Sequence, residues 1–127
     1  MTSALLVLMV AQACATPRGS QDHTLRTHDQ TLRVTKVSVV MSGMSYSPHV
    51  IRVPVGAAVE LHLTNSDGVG HDFTLPRGTV EKFQLFLNPG LSVHSGFEPR
   101  NVGSFEFYCS QPGHKAAGMK GILEVEP

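Results

Sequence analysis

The sequence predicts an all-β protein, an antiparallel β-sandwich of seven to eight short strands. Short segments rich in β-branched and aromatic residues recur from residue 31 to the end of the chain. Gly, Pro, Asn and Asp fill the gaps between them, about every eight to twelve residues. The one helical feature that the pattern predicts is a short turn at residues 79–87.

The predicted strands follow one another along the chain. They cover residues 31–41, 49–53, 58–64, 70–75, 91–97, 104–109 and 121–125. In the first strand the alternation changes phase near Lys36, which is typical of a β-bulge. In residues 104–109, Phe105, Phe107 and Cys109 share one face, so Cys109 is expected to end a strand on its inward side.

The overall charge of the chain is balanced. Ten Lys and Arg residues stand against ten Asp and Glu residues, and 41% of the 127 residues are hydrophobic. This composition is that of one folded domain, and we expect a monomer. Neutrality argues against a partner held by bulk charge, so nucleic acid and anionic membranes are not expected partners.

The N-terminus resembles an export signal. Residues 4–10 form an apolar run, and residues 11–13 have the small-x-small form that signal peptidases cleave after. No basic residue precedes the run, so the basic segment of a typical signal is missing. The apolar run and the cleavage motif nevertheless predict a signal peptide at residues 1–13, with Cys14 as the lipid acceptor if the signal is of the lipoprotein type. The alternative is an apolar N-terminal strand containing a structural cysteine.

Residues 14–31 are polar and lack an apolar period, which favours a tether. The folded domain is then expected at residues 32–127. Export places it in the periplasm or on the outer face of a bacterial cell envelope, where the only membrane contact expected is a lipid anchor at Cys14. One cysteine in the domain leaves no disulfide, so Cys109 needs another role.

Cys109, His114 and Met119 follow each other at five-residue intervals in the segment between the last two predicted strands. A thiolate, an imidazole and a thioether form a soft donor set suited to copper, in a His₂Cys arrangement with a weak axial Met. Such a site needs a second histidine. His71 is the best candidate because it opens a strand after a glycine-rich turn, and His94, inside an alternating strand, is the rival. His94, His49 and His62 are otherwise interpreted as strand or surface residues, with a second, weaker copper site as the alternative.

These motifs resemble those of the cupredoxins, small type 1 (blue) copper proteins of the plastocyanin and azurin kind. The Cys-Ser-Gln-Pro-Gly-His stretch that begins at Cys109 is similar to the ligand loop of azurin, and the spacing onward to Met119 is similar to that of auracyanin and rusticyanin. The resemblance covers about residues 34–126. It implies a Greek-key β-sandwich with one type 1 copper ion per chain.

The resemblance also implies a role for each residue of the site. His71, Cys109 and His114 are the expected equatorial ligands and Met119 the axial one, with the Gly70 carbonyl as a distant second axial contact.

Around the ligands, the resemblance implies that the backbone N–H groups of Asp72 and Gln111 donate to the Cys109 sulfur. Asp72 stands where the family usually has Asn, whose side chain bonds across to the residue after the cysteine, here Ser110. A carboxylate accepts from Ser110 but cannot donate, and its charge favours Cu(II).

The expected function is that of a one-electron carrier, not an enzyme. Enzymes of this fold need further copper centres built from His-x-His pairs or His-Cys-His runs, and the sequence has none. A copper chaperone or storage protein using the same ligands is the alternative. The resemblance implies redox protein partners, such as a cytochrome or an oxidase or reductase, that dock on an apolar rim around His114. The rim is expected to contain Val69, Pro112, Gly113, Ala116 and Ala117, with a basic edge at Lys115 and Lys120.

Overall fold

The computed structural model describes residues 34–127, which fold into two packed β-sheets. The predictions for residues 1–13, for Cys14 and for the tether at residues 14–31 concern parts of the chain outside the described residues. Within residues 34–127 the structure has nine strands and no helix: β1 (Val34–Ser42), β2 (Ser45–Ser47), β3 (Val50–Pro54), β4 (Ala58–Asn65), β5 (His71–Leu75), β6 (Phe83–Leu87), β7 (Ser92–Phe97), β8 (Gly103–Tyr108) and β9 (Lys120–Glu126). The all-β sandwich is confirmed.

Both sheets contain one parallel pair of strands. The four-stranded sheet has the order β2-β1-β4-β7 and the five-stranded sheet the order β3-β9-β8-β5-β6. β1 runs parallel to β4, and β3 runs parallel to β9, while the other pairs are antiparallel. The predicted sandwich was wholly antiparallel. A parallel pair needs a crossover connection. Between β1 and β4 the crossover runs through β3, which follows β2 along the chain and belongs to the other sheet.

Two strands of the structure, β2 and β6, are missing from the sequence prediction, so the sandwich has nine strands rather than seven or eight. β2 is only three residues long, and its pairing depends on a tight turn in which Gly43 and Met44 have φ values of 57° and 59°. The helical turn predicted at residues 79–87 is wrong at its second half, because Phe83–Leu87 forms β6 against β5. Gln84 and Phe86 are exposed, whereas Phe83 and Leu85 are half-buried and Leu87 is buried, which is the period of a strand.

The first strand has no bulge near Lys36. Its register against β4 is continuous from Val34 opposite Ala58 to Met41 opposite Asn65. The side chains alternate throughout, and Lys36 lies on the exposed face beside Glu60, at 3.8 Å. The apparent change of phase arose because Val34 and Val40, although apolar, lie on the exposed face.

The core between the sheets has an aromatic centre next to the end of β8. The rings of Phe73 and Phe107 stack at 4.6 Å, and Tyr46 packs edge-on against both, at 5.8 and 5.0 Å. All three side chains are buried. Burying side chains of this size stabilises the fold by about 1.5–3 kcal/mol each. This aromatic centre therefore holds the adjacent end of β8 in place.

The outer face of the four-stranded sheet carries His62 and His94. They lie opposite each other on β4 and β7, with rings stacked at 4.1 Å. Among the described residues, no helix is long and apolar enough to cross a membrane.

Candidate metal centre

Three predicted ligands meet at one end of the sandwich. His71 is the first residue of β5, Cys109 follows β8 directly, and His114 lies on the loop between β8 and β9. This convergence follows from the topology, because β5 and β8 are neighbours in the same sheet and run in opposite directions. The start of β5 therefore lies beside the end of β8.

The loop of residues 109–119 is closed by its own backbone. The Cys109 N–H donates to the Met119 carbonyl at 3.1 Å, and the Met119 N–H donates to the His114 carbonyl at 3.0 Å. A turn at Pro112–Gly113, where Gly113 has a φ of 81°, brings the His114 N–H to the Gln111 carbonyl at 3.1 Å. Met119 is fully buried directly before β9. The loop thus holds three of the four predicted ligands, Cys109, His114 and Met119, on short, hydrogen-bonded backbone.

The donor atoms lie as close together as atoms sharing one ion. The Nδ1 atoms of His71 and His114 are 3.1 Å apart, and the Cys109 Sγ is 3.4 Å from the His114 Nδ1. All three residues offer ligand atoms within 4.8 Å of one another. Two nitrogens that each lie about 2.0–2.1 Å from one ion are separated by about 3 Å. The spacing therefore fits a mononuclear metal site with one sulfur and two nitrogens.

The site is closed to water on the side of His71 and Cys109. Both side chains are fully buried, whereas His114 is partly exposed. Burial raises the pKa of the Cys109 thiol, although the backbone N–H groups of Asp72 and Gln111 lower it in part. A bound metal ion replaces the thiol proton, so the thiolate needs the ion or a base to form here.

Asp72 is the centre of a hydrogen-bond network behind the cysteine. Its own N–H donates to Cys109 Sγ at 3.4 Å. Its carboxylate accepts from the Ser110 N–H at 2.8 Å and hydroxyl at 2.6 Å, from Gln111 Nε2 at 3.0 Å and from the Thr74 hydroxyl at 2.9 Å. Burial opposes ionisation of this carboxyl, but these donors together hold its pKa below the usual range.

Two residues near the site were missed from the sequence. The Asp67 carboxylate lies 3.0 Å from His71 Nε2, on the opposite side of the ring from the cluster. Phe86, which is 53% exposed, covers Gly70 so closely that a Cβ there would lie 2.5 Å from its ring. Asp67 could have been identified because it stands four residues before His71 in the sequence. The contact of Phe86 with Gly70, in contrast, depends on the register of β6 against β5. A contact from the Gly70 carbonyl stays a prediction.

The surface around His114 is mostly apolar and small. Val69 is 47% exposed, and the loop residues expected in the rim, which are Pro112, Gly113, Ala116 and Ala117, are all exposed. Lys115 and Lys120 both contact Glu106, at 2.7 and 3.5 Å, and the Lys115 ammonium lies 4.2 Å from the Tyr108 ring centroid. The basic edge is therefore partly neutralised by its own carboxylate. His94, the rival ligand, stacks on His62 on the outer face of the four-stranded sheet.

A β-sandwich with a Cys–His–His cluster beside a methionine at one end, buried except at one histidine, defines a class of mononuclear metal-binding proteins. This chain belongs to the cupredoxin-like domain family, whose model matches residues 4–123. Family and donor set together are consistent with a single type 1 copper ion. No curated protein sequence matches the chain significantly.

Solved structures share the fold at low sequence identity. The chain is 24% identical to auracyanin B, covering 72% of this chain and 88% of that one, with a TM-score of 0.64. It is 20% identical to a dithionite-reduced auracyanin from Roseiflexus castenholzii, covering 73% and 98%, with a TM-score of 0.66. It is 16% identical to auracyanin A, a "blue" copper protein from Chloroflexus aurantiacus, covering 73% and 99%, with a TM-score of 0.63.

Proposed function

We propose that this chain is an exported type 1 copper protein that carries single electrons between redox proteins, and that it is not an enzyme. The observation that carries the proposal is the cluster of one sulfur and two imidazole nitrogens within 4.8 Å, built on the ends of a rigid sandwich. A copper ion held there would supply the one-electron chemistry by alternating between Cu(I) and Cu(II).

The proposed ligands are His71, Cys109 and His114 in the equatorial positions and Met119 in the axial one, with a distant contact from the Gly70 carbonyl. The chain's own contribution is to keep these groups in place. Loop backbone bonds tie Cys109 to Met119 and Met119 to His114, and the Asp72 N–H stabilises negative charge on the Cys109 sulfur. A site that needs little rearrangement suits fast electron exchange.

The proposed docking surface is the apolar rim around His114. Small, exposed residues such as Gly113 and Ala116 let another protein approach the partly exposed ring closely. A small apolar surface suits brief contacts rather than stable complexes. We propose redox proteins as donor and acceptor, either cytochromes or oxidases and reductases. Periplasmic location, or a lipid anchor at Cys14 on the outer face of the cell envelope, completes the proposal.

The test is to add Cu(II) to the purified domain and record its visible spectrum. An intense thiolate-to-copper band in the red that bleaches reversibly with ascorbate supports the electron carrier. Cys109→Ser should abolish the band, and His94→Gln, a matched change of a surface histidine, should retain it. A colourless protein with tight Cu(I) binding would overturn the proposal in favour of copper delivery or storage.

A further inference from the structure

We infer that Asp67 is a positioning residue for the metal centre, which sets the tautomer and orientation of His71 through a carboxylate bond to Nε2. The identity of the metal in this inference rests on the proposed function. The orientation of the ring, in contrast, is a property of the metal-free chain and can be measured without copper.

The two ring nitrogens of His71 contact different side chains, Asp67 and His114. Nε2 lies 3.0 Å from Asp67 Oδ2, and Nδ1 lies 3.1 Å from His114 Nδ1. A carboxylate only accepts, so the proton of a neutral His71 ring resides on Nε2. Nδ1 then presents its lone pair to the cluster, as a metal ligand must.

The Asp67 carboxylate is itself held by backbone donors. Oδ2 also accepts from the Gly43 N–H at 2.9 Å, and Oδ1 accepts from the Gly68 N–H at 3.0 Å. The Asp67 N–H donates to Asn65 Oδ1 at 3.0 Å. Asn65 is fully buried and bonds to the Val69 and Leu87 carbonyls at 2.8 and 3.0 Å. Asp67 therefore connects the β1–β2 turn and the strand before the site to the His71 ring.

The same bond sets the proton on the second histidine. A hydrogen bond across the 3.1 Å between the two Nδ1 atoms requires one proton between them, and Cys109 Sγ, 3.4 Å from His114 Nδ1, can accept from the same N–H. If Asp67 keeps the His71 proton on Nε2, the shared proton belongs to His114 Nδ1. The metal-free protein should therefore contain the two histidines as opposite tautomers, His71 protonated on Nε2 and His114 on Nδ1.

The negative charge of Asp67 should also favour the more positive oxidation state of a bound copper ion. A carboxylate bonded to a ligand imidazole raises the basicity of its other nitrogen. Asp67→Asn keeps a carbonyl oxygen that can accept from Nε2 but removes the charge. Asp67→Ala removes both the acceptor and the charge.

The experiment compares wild type, Asp67→Asn, Asp67→Ala and Glu98→Gln, the last removing an exposed carboxylate beyond the far end of β7. Ring ¹⁵N shifts are recorded on the metal-free proteins near pH 8, and Cu(II) affinity and reduction potential on the copper-loaded ones. We expect opposite tautomers in wild type and in the Glu98 control, and a mixture of tautomers at His71 in Asp67→Ala. We also expect an affinity loss of about tenfold or more in Asp67→Ala and a raised potential in Asp67→Asn.

Two results would overturn the inference. One is a His71 ring protonated on Nδ1 in wild type. The other is a set of Asp67 variants with lower melting temperatures but wild-type tautomers, affinity and potential, which would reduce Asp67 to a stabiliser of its turn. If the wild-type protein failed to form a blue copper site, the proposed function would fail, and the ¹⁵N shifts of the metal-free protein would still decide the role of Asp67.

Discussion

At the residue scale, two carboxylates lie on either side of His71. Asp67 bonds to the far side of the ring, and Asp72, the next residue along β5, bonds to the segment after Cys109. Both are embedded in N–H and O–H donors, so both are expected to remain ionised near neutral pH. Negative charge so close to the cluster favours Cu(II) over Cu(I).

Asp72→Asn is expected to raise the reduction potential. The asparagine amide loses the negative charge, and its NH₂ group must face donors such as the Ser110 hydroxyl and Gln111 Nε2. Voltammetry of the copper-loaded variant against wild type measures the change, with Glu98→Gln as the charge control. A potential that stays unchanged or falls would contradict the prediction.

The pKa of Asp72 also predicts a pH dependence of stability. Hydrogen bonds outweigh burial and lower the pKa of this carboxyl in the folded state. A lowered folded-state pKa adds stability that is complete above the unfolded value of about 3.9 and is lost as pH falls through the folded value. The free energy of unfolding of the metal-free protein should therefore fall less steeply below about pH 4 in Asp72→Asn than in wild type. Urea titrations at several pH values provide the measurement, and equal slopes would show that the network contributes nothing.

At the scale of elements, β8 and β9 support the loop that carries three of the proposed ligands. Gly121 lies opposite Phe107 in this pair of strands. A Cβ on Gly121 would lie 2.5 Å from the His49 carbonyl oxygen and even closer to the Phe107 ring. The ring cannot move aside freely because it stacks on Phe73 in the core.

Gly121→Ala is therefore expected to destabilise the protein by at least about 2 kcal/mol. Gly68→Ala is the matched control, since a Cβ there meets nothing within 4 Å. Chemical denaturation of both metal-free variants measures the difference. Equal losses in the two variants would show that the β8–β9 pair tolerates the added methyl group.

The length of β2 and the position of β6 show where local patterns were insufficient. β4 alternates strictly, with Val59, Leu61 and Leu63 buried, and its bounds were predicted to within one residue. β6 has the same period, but Phe86 occupies one of its two exposed positions, so Gln84 is the single polar residue that marks the outer face. β2 is too short to have a period, and only its turn and its pairing with β1 define it.

At the scale of the whole molecule, the chain has balanced charge, and the surface near His114 is apolar. Encounters there should depend on contact rather than on long-range attraction. If the docking surface is the one we propose, two copies of the protein meet through the same small residues around the exposed edge of His114. Electron exchange between oxidised and reduced copies is thus a probe of this surface that needs no partner protein.

Ala117→Glu is expected to slow electron self-exchange by about tenfold or more at low salt, because two like charges then face each other across the encounter. The visible spectrum and the potential should change little, since Ala117 is exposed. Ser38→Glu, on the exposed face of β1, is the matched control. NMR line broadening in mixtures of oxidised and reduced protein gives the rate, and equal rates in the two variants would place the exchange surface elsewhere.

The local sequence by itself determined the all-β class and the loop from Cys109 to Met119. Both depend on residues close together in the chain: the alternation of apolar and polar side chains, and the five-residue intervals between the three ligands of the loop. It also indicated His71 through the glycine-rich turn before it. Only the tertiary structure decided that His71 lies 3.1 Å from a histidine 43 residues away, that Asp67 bonds to its far side and that Phe86 covers Gly70. These contacts depend on the crossover that makes β1 and β4 parallel and on the register of β5 with β6 and β8. Strand pairing is set by how the whole core packs, and no single segment contains that information.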